Sequence, residues 1–262
     1  MITTGISVAC GYPEYPELFL EKLLKAGVKR VELFLNTHSE IQPDYIGVLK
    51  ALLDDYGAEC ISFHPFTCGI DTYMLYTGYA RRVADYLDYH KNYFEAMNTL
   101  GAKYFILHGS KNPYPDEVIC EAYMALSRTA KPYGITVLQE NVARCITGDV
   151  AQLSRMKNIL GDEVSFCLDI KQAIRYGQNP LDFVKALGSN IKHVHFSDHN
   201  SETDCIMPFA GEMDIPEFVG ELKSAGFDGC VMTELYRRGY PDVPTLVEAV
   251  GKLEKLIACD LL

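Results

Sequence analysis

The chain of 262 residues has no Cys-x-x-Cys pair, no run of lysine and arginine, and no G-x-G-x-x-G. Each absence removes a class of protein. Nine cysteines stand at positions 10, 60, 68, 120, 145, 167, 205, 230 and 259, none at zinc-ribbon spacing. The odd count, and the lack of a basic then apolar leader in MITTGISVACG, predict reduced thiols in a cytoplasmic protein. No apolar run approaches the roughly 18 residues of a membrane span, so no membrane partner is expected. The formal net charge is −11, and the nearest approach to a basic patch is the pairs Arg81-Arg82 and Arg237-Arg238. An acidic chain repels a phosphodiester backbone unless clustered cations offset it, so nucleic acid is not the expected partner. Linkers, low-complexity segments and sequence repeats are also missing. That absence predicts one domain over residues 1–262.

What is present is alternation. Strand-like runs at TGISVA (4–9), RVELFL (30–35), ECISFH (59–64), KYFILH (103–108), ITVLQE (135–140), SFCLD (165–169), IKHVHF (191–196) and GCVMTEL (229–235) are each followed by helical periodicity. Proline opens several of those helices, as at Pro43, and glycine closes several, as at Gly27, Gly57, Gly101 and Gly134. The longest helix is predicted over 79–100, and another over 115–133. Between Pro65 and Tyr79 lies a loop of about 14 residues rich in Tyr, Thr and Gly, a length often reserved for function. Eight βα units in about 260 residues predict a single (β/α)8 TIM barrel. An open doubly wound sheet needs no eighth unit and usually carries a glycine-rich first turn. Cys60, Cys167 and Cys230 sit inside apolar runs and read as small hydrophobes.

Such barrels carry their catalytic groups at the C-terminal ends of the strands. Here those ends carry His64, His108, Glu140, Asp169, His195 and Glu234. Side chains alternate across a strand, so Glu140 shares a face with Thr136 and Leu138, Asp169 with Ser165 and Cys167, and His64 with Cys60 and Ser62. Three carboxylates crowded on one rim repel and raise one another's pKa unless a cation joins them. With one imidazole they make a mixed oxygen and nitrogen shell that suits one divalent metal ion: Mn²⁺, Mg²⁺, Co²⁺ or Zn²⁺. Glu140, Asp169, His195 and Glu234 end four consecutive strands and are the expected ligands. His64 and His108 stand open between substrate contact and plain structure. His193 is placed inward, one layer below His195, to orient a ligand. Glu32 shares the inward parity of Phe34 and is read as a buried acceptor. His38 is expected in solvent on a loop, and His90 on a helix surface.

The segments ISFHPF (61–66), FILHGS (105–110), LQEN (138–141), CLDIKQA (167–173), HVHFSD (193–198), CIMPFAGEMD (205–214) and MTELY (232–236) resemble the xylose-isomerase-like TIM barrel superfamily. That superfamily holds sugar and sugar-phosphate isomerases and epimerases together with metal-dependent AP endonucleases. The resemblance runs over nearly the whole chain. It implies metal ligation by Glu140, Asp169, His195 and Glu234, with the two glutamates doubling as the acid/base pair, as in the ketose 3-epimerase branch. The chain departs from the endonucleases at Gln172, where they carry a histidine, and at Asp204-Cys205-Ile206, where they carry Asp-x-His. AP endonuclease activity is therefore not expected. The ketose epimerases also place a histidine at the Gln172 position and an arginine in the loop after strand seven, and this chain has neither. The family's Pro-Gly-x-Gly loop is here Pro208-Phe209-Ala210-Gly211, which predicts a different loop shape.

The expected activity is a metal-dependent sugar or sugar-phosphate isomerase or epimerase, working by proton transfer through a metal-stabilised enediolate. A hydride shift between adjacent carbons is the alternative chemistry. Glu140 and Glu234 are the expected acid/base pair, and His64, His108, Lys171 and Gln172 the expected substrate contacts. Lys171 pairs either with a phosphate or carboxylate on the substrate or with a neighbouring carboxylate of the protein. The expected partner is a small-molecule carbohydrate, with a homo-oligomer possible. The same barrel could instead house a metallohydrolase or a polyol dehydratase or lyase, with His64 or His108 on a second metal. A sugar-binding protein without catalysis is the third reading, and the complete ligand set argues against it.

Overall fold

The computed structural model describes residues 1–259. Eight parallel strands, β1 (Thr3–Ser7), β2 (Arg30–Phe34), β3 (Glu59–His64), β4 (Tyr104–Leu107), β5 (Thr136–Glu140), β6 (Phe166–Asp169), β7 (Ile191–Phe196) and β8 (Cys230–Thr233), pair in sequence order. β8 returns to β1 with Thr3 opposite Cys230 and Ile6 opposite Thr233, which closes the barrel. Around it run α1 (Pro16–Lys25), α2 (Pro43–Tyr56), α3 (Asp71–Met74), α4 (Ala80–Leu100), α5 (Asp116–Ala130), α6 (Val150–Leu160), α7 (Ile170–Tyr176), α8 (Pro180–Leu187), α9 (Ile215–Ser224) and α10 (Val243–Ala258). This is the expected (β/α)8 architecture. Among the described residues no helix is long and apolar enough to cross a membrane.

Local chemistry sets the boundaries. Proline begins α1, α2 and α8, where its missing N–H costs nothing. Asp149, Asn179, Asp214 and Asp242 cap α6, α8, α9 and α10 by accepting from backbone N–H groups in the first turn. Gly57 and Gly101 end α2 and α4 in the left-handed conformation that a β-carbon disfavours. The helix predicted over 115–133 stops at Ala130 and tightens into a 3-10 turn over Lys131–Tyr133. Pro132 lies in that turn and supplies no N–H to continue the α ladder.

Two apolar layers result from strand alternation. Phe63, Phe105, Leu107, Val137, Phe166, Leu168, Val194 and Phe196 point outward and join the helices in the main core. Ile106, Leu138 and Cys167 point inward and pack on one another inside the barrel, with Tyr104 against them. The free thiols of Cys60, Cys167 and Cys230 are buried among the strands, as small hydrophobes are. Tyr123 stitches the layers, donating to the Val137 carbonyl at 2.8 Å and accepting from Ser165 N at 3.0 Å. Above the inner apolar plug, the inward positions turn polar.

Two expectations need correction. His90 is not on the surface: it is fully buried, stacked on Tyr86 with ring centroids 3.8 Å apart. Its Nδ1–H donates to the Tyr86 carbonyl at 2.7 Å and its Nε2 accepts from Thr67 at 3.2 Å. Burial lowers its pKa to about 4. Tyr86, His90, Tyr93, Phe94 and Met97 share helical spacing and form the buried face of α4. The segment after His64 is not a plain loop either, for it holds a 3-10 turn at Phe66–Gly69 and the short α3. His193 is buried edge-on to His195, ring centroids 5.3 Å apart, and its Nε2 stands 3.2 Å from Ser62 and 3.3 Å from Glu32. His38 is exposed as expected, bonded to Tyr89 and Gln42.

Candidate active site and metal centre

Strand register brings the polar ends together. Asp169 pairs with His195 across β6 and β7, and Glu140 with Cys167 across β5 and β6. Ligand atoms of Glu140, Asp169, His195 and Glu234 all lie within 4.8 Å of one another. The two glutamates come from the outer strands of this arc, β5 and just past β8, with Asp169 and His195 between them. His195 Nδ1 is the hub: Glu234 Oε2 is 2.9 Å away, Glu140 Oε1 3.2 Å and Asp169 Oδ2 3.7 Å.

Asp169 and His195 are held from behind. Asn141 accepts from Asp169 N at 2.6 Å and donates to the Asp169 carbonyl at 2.9 Å. Asp169 Oδ1 caps α7 through Gln172 N at 2.9 Å, which leaves Oδ2 for the site. Glu32 Oε2 lies 3.0 Å from His195 Nε2, and Ser62 and Ser7 donate to the same carboxylate at 2.8 and 3.0 Å. A register shift between Val31 and Glu32 sets Glu32 opposite Ser62. With Nε2–H given to Glu32, a neutral His195 presents its Nδ1 lone pair to three carboxylates.

That arrangement leaves carboxylate oxygens unsatisfied by the protein. Glu140 Oε2, Asp169 Oδ2 and Glu234 Oε2 are buried and make no aligned hydrogen bond. Nitrogens do stand 2.9–3.1 Å from them, on His108, Lys171 and His195, but misdirected for hydrogen bonding. Burial raises the Asp169 pKa, Lys171 opposes it, and Glu140 and Glu234 add to the rise. Burial would lower His195, yet its anionic neighbours hold it well above its ordinary value. Cys167 is no such neighbour at neutral pH, its own thiol being pushed up to about 12 by burial. The protein groups alone thus call for a positive charge at Nδ1. Three oxygens and one imidazole nitrogen suit a borderline or hard divalent ion.

Around this cluster opens a cavity of about 380 Å³, lined by His64, His108, Glu140, Lys171, Gln172 and Glu234 among others. A groove of about 490 Å³ beside α8 and α9 is lined by none of the strand-end residues and is not the candidate site. His108 Nε2 is 2.9 Å from His64 Nε2 and 3.0 Å from Glu140 Oε2. Two imidazole nitrogens at that distance share one proton. Burial, with His108 beside it, lowers His64 to about 4. Burial opposes protonation of His108 as well, but Glu140 raises it well above its ordinary range. Lys171 is buried 3.1 Å from Asp169 Oδ2 and 3.4 Å from Glu234 Oε1, so its pairing is with the protein's own carboxylates. Gln172 lines the cavity and accepts from Ala143 N at 3.1 Å.

Several neighbours carry no sequence signal of their own. Tyr12, Phe34, Asn36, Phe66, Cys68 and Tyr236 also line the cavity. Asp198, at the end of HVHFSD, pins the long loop by accepting from His199, Gly211 and Met213 N. A β-carbon on Gly211 would fall 2.2 Å from the His199 carbonyl, and Phe209 takes φ 66°, left-handed backbone that favours glycine. Glycine is therefore required at 211 by close packing, and Phe209 sits in backbone that favours glycine.

Comparison with known proteins matches this picture. An inosose isomerase of Bacillus velezensis is 26% identical over 179 residues, which cover 62% of this chain and 62% of that one. The match thus spans a little under two thirds of the curated relative. A D-tagatose 3-epimerase-like protein superposes with a TM-score of 0.79 at 20% identity, covering 97% of this chain and 98% of its own. A structure of IOLI protein with a bound zinc atom gives 0.72 at 18% identity, covering 98% of both chains. The model for xylose isomerase-like TIM barrels matches residues 20–256. The chain belongs to the xylose isomerase-like TIM barrel family.

Proposed function

We propose that this protein is a metal-dependent isomerase or epimerase of a sugar or sugar derivative, and that it moves a proton next to a carbonyl. The observation that carries the reading is three buried carboxylates converging on His195 Nδ1, each with one oxygen left without an aligned hydrogen bond. Glu140, Asp169, His195 and Glu234 would hold one divalent ion there. Bound, it supplies Lewis acidity, drawing electrons from a carbonyl and easing proton loss from the adjacent carbon. The zinc of the IOLI structure and the names of the relatives support the class, while the ion and the sugar are this protein's own.

The residues divide the proton work. Glu234 is kept ionised, about 2, against the pull of burial by Lys171 and His195, so it is the base. Taking the proton breaks the C–H bond, and the electron pair moves onto the carbonyl oxygen. Glu140 is likewise held well below its ordinary value against burial by His108. It returns a proton only after receiving one from His108, 3.0 Å away. Return to the opposite face of the same carbon is epimerisation, and return to the neighbouring carbon is isomerisation. His64 and His108 meet substrate hydroxyls.

The cluster His64–His108–Glu140 is the observation that favours the alternative, a second ion and hydrolysis. Its two imidazole Nε2 atoms already share a proton at 2.9 Å, so those atoms do not require an ion. Elemental analysis, together with solvent-deuterium entry into a panel of ketoses, tests the reading. One ion per chain and carbon-bound deuterium are expected. Two or three ions with hydrolysis and no exchange would overturn it.

A further inference from the structure

Beside the main cavity lies a second recess of about 320 Å³, lined by Ala9, Tyr12, Tyr236, Arg237 and Arg238. It shares Ala9, Tyr12 and Tyr236 with the cavity over the strand ends, so the two adjoin. In a chain of net charge −11, this recess is lined by two guanidiniums and no carboxylate. Among the described residues, neither Arg237 nor Arg238 has a carboxylate partner within salt-bridge distance. Arg237 donates to the Tyr240 and Pro241 carbonyls at 3.0 and 3.4 Å. Those bonds fix its guanidinium without neutralising it. Arg238 is exposed, its guanidinium 5.8 Å from the centroid of the Tyr236 ring.

The other nearby cations are committed elsewhere. Lys171 is taken by Asp169 and Glu234. Arg175 is forked onto Asp204 and gives Nη1–H to Tyr236 Oη at 2.9 Å. Since Tyr236 Oη accepts that bond, its own hydrogen is free to donate outward. The recess therefore offers guanidiniums in no ion pair with a carboxylate, planar N–H forks and a phenol donor. That is the chemistry of phosphate and carboxylate recognition. A neutral polyol needs none of the charge.

We propose that this recess holds the anionic end of the substrate, so that the carbonyl sugar worked on at the strand ends carries a phosphate or a carboxylate at its far end. The inference rests on the isomerase or epimerase reading for what happens at the strand ends, but not for what binds in the recess. Local positive charge on an acidic protein also steers an anion to the mouth, and salt weakens that steering.

The test is calorimetric binding of D-fructose, D-fructose 6-phosphate and D-fructuronate to the full-length metal-loaded protein, with solvent-deuterium exchange followed on the same three compounds. At least one of the two anions should bind about tenfold or more tighter than fructose at low salt. The advantage should shrink in added KCl, and Arg238→Ala should reduce the anion-to-neutral ratio by about tenfold. Which anion wins decides between phosphate and carboxylate. Fructose bound as tightly as both anions, no binding of any of the three, or an anion advantage untouched in Arg238→Ala would overturn the assignment. Arg238-dependent anion binding without any exchange would leave the recess standing and sink the isomerase reading. Exchange with fructose alone would do the reverse.

Discussion

Glu32 Oε2 lies 3.0 Å from Nε2 of His195, and neither side chain reaches solvent. This contact fixes which nitrogen of His195 carries hydrogen and which faces Glu140, Asp169 and Glu234. Ser7, Ser62 and His193 hold the Glu32 carboxylate in turn. The pairing spans 163 residues of sequence and links the first quarter of the barrel to the arc that carries the four candidate ligands.

Removing that acceptor should weaken metal binding without removing a ligand. Partners of this kind are typically worth about 10–100-fold in affinity. Glu32→Leu is expected to lose about that much, and Glu32→Gln less, because its amide oxygen still accepts from Nε2–H. Chelator competition on folded protein, checked by circular dichroism, measures it. Equal affinity in wild type and Glu32→Leu would contradict the role.

The ligand assignment is tested by a different contrast. Asp169→Asn keeps the oxygen that caps α7 and loses the charge. It should abolish tight metal binding while leaving the fold, and His195→Ala should do the same. His64→Ala should retain most of the affinity. Full metal stoichiometry in the Asp169 and His195 variants would overturn the assignment.

Asp71 gives a pH signature outside the four candidate ligands. Burial raises its carboxyl to about 6, against the nearby His108 and against Tyr86, which donates to it at 2.8 Å. The folded state therefore holds a proton that the unfolded chain has released above its ordinary value of 3.8. Its contribution to stability is full below that value and is lost as pH rises through about 6, a span worth about 3 kcal/mol at most. Asn cannot ionise, so Asp71→Asn should gain stability relative to wild type as pH rises from about 4 to about 6, and change little outside that window. His90 runs the opposite way in both proteins: its depressed pKa makes the fold lose stability as pH falls from 6.5 toward about 4. Taking the difference between the two proteins removes that term. Urea denaturation at four pH values measures it, and a pH-independent difference would contradict the buried ionisation.

The barrel was legible because proline, glycine and short strand runs punctuate the chain locally. Glu140, Asp169, His195 and Glu234 were legible because a strand-end position and side-chain parity together determine direction. Glu32 was only half legible: parity gave its burial, but its partner depends on a register shift that no local pattern marks. His90 was misplaced because histidine was weighed by its polarity rather than by its place among Tyr86, Tyr93 and Phe94 on one helical face. Lys171 needed three dimensions to choose between substrate and carboxylate. The pair Arg237-Arg238 was visible in sequence, but its place beside the cavity depends on how the loop after β8 folds over Ala9 and Tyr12.

The central claim is that Glu140 and Glu234 move protons and do not merely hold an ion. The direct measurement is solvent-deuterium incorporation by metal-loaded wild type, Glu140→Gln and Glu234→Gln, with bound metal counted in each sample. A glutamine offers the ion one carbonyl oxygen but no carboxylate base. General acid–base catalysis is typically worth about 10²–10⁴-fold, so each variant should lose at least that much exchange at matched metal occupancy, with deuterium reaching carbon only in the wild type at full rate. Full recovery of either variant at saturating metal, or label passing from carbon to carbon with no solvent deuterium in the product, would contradict the account.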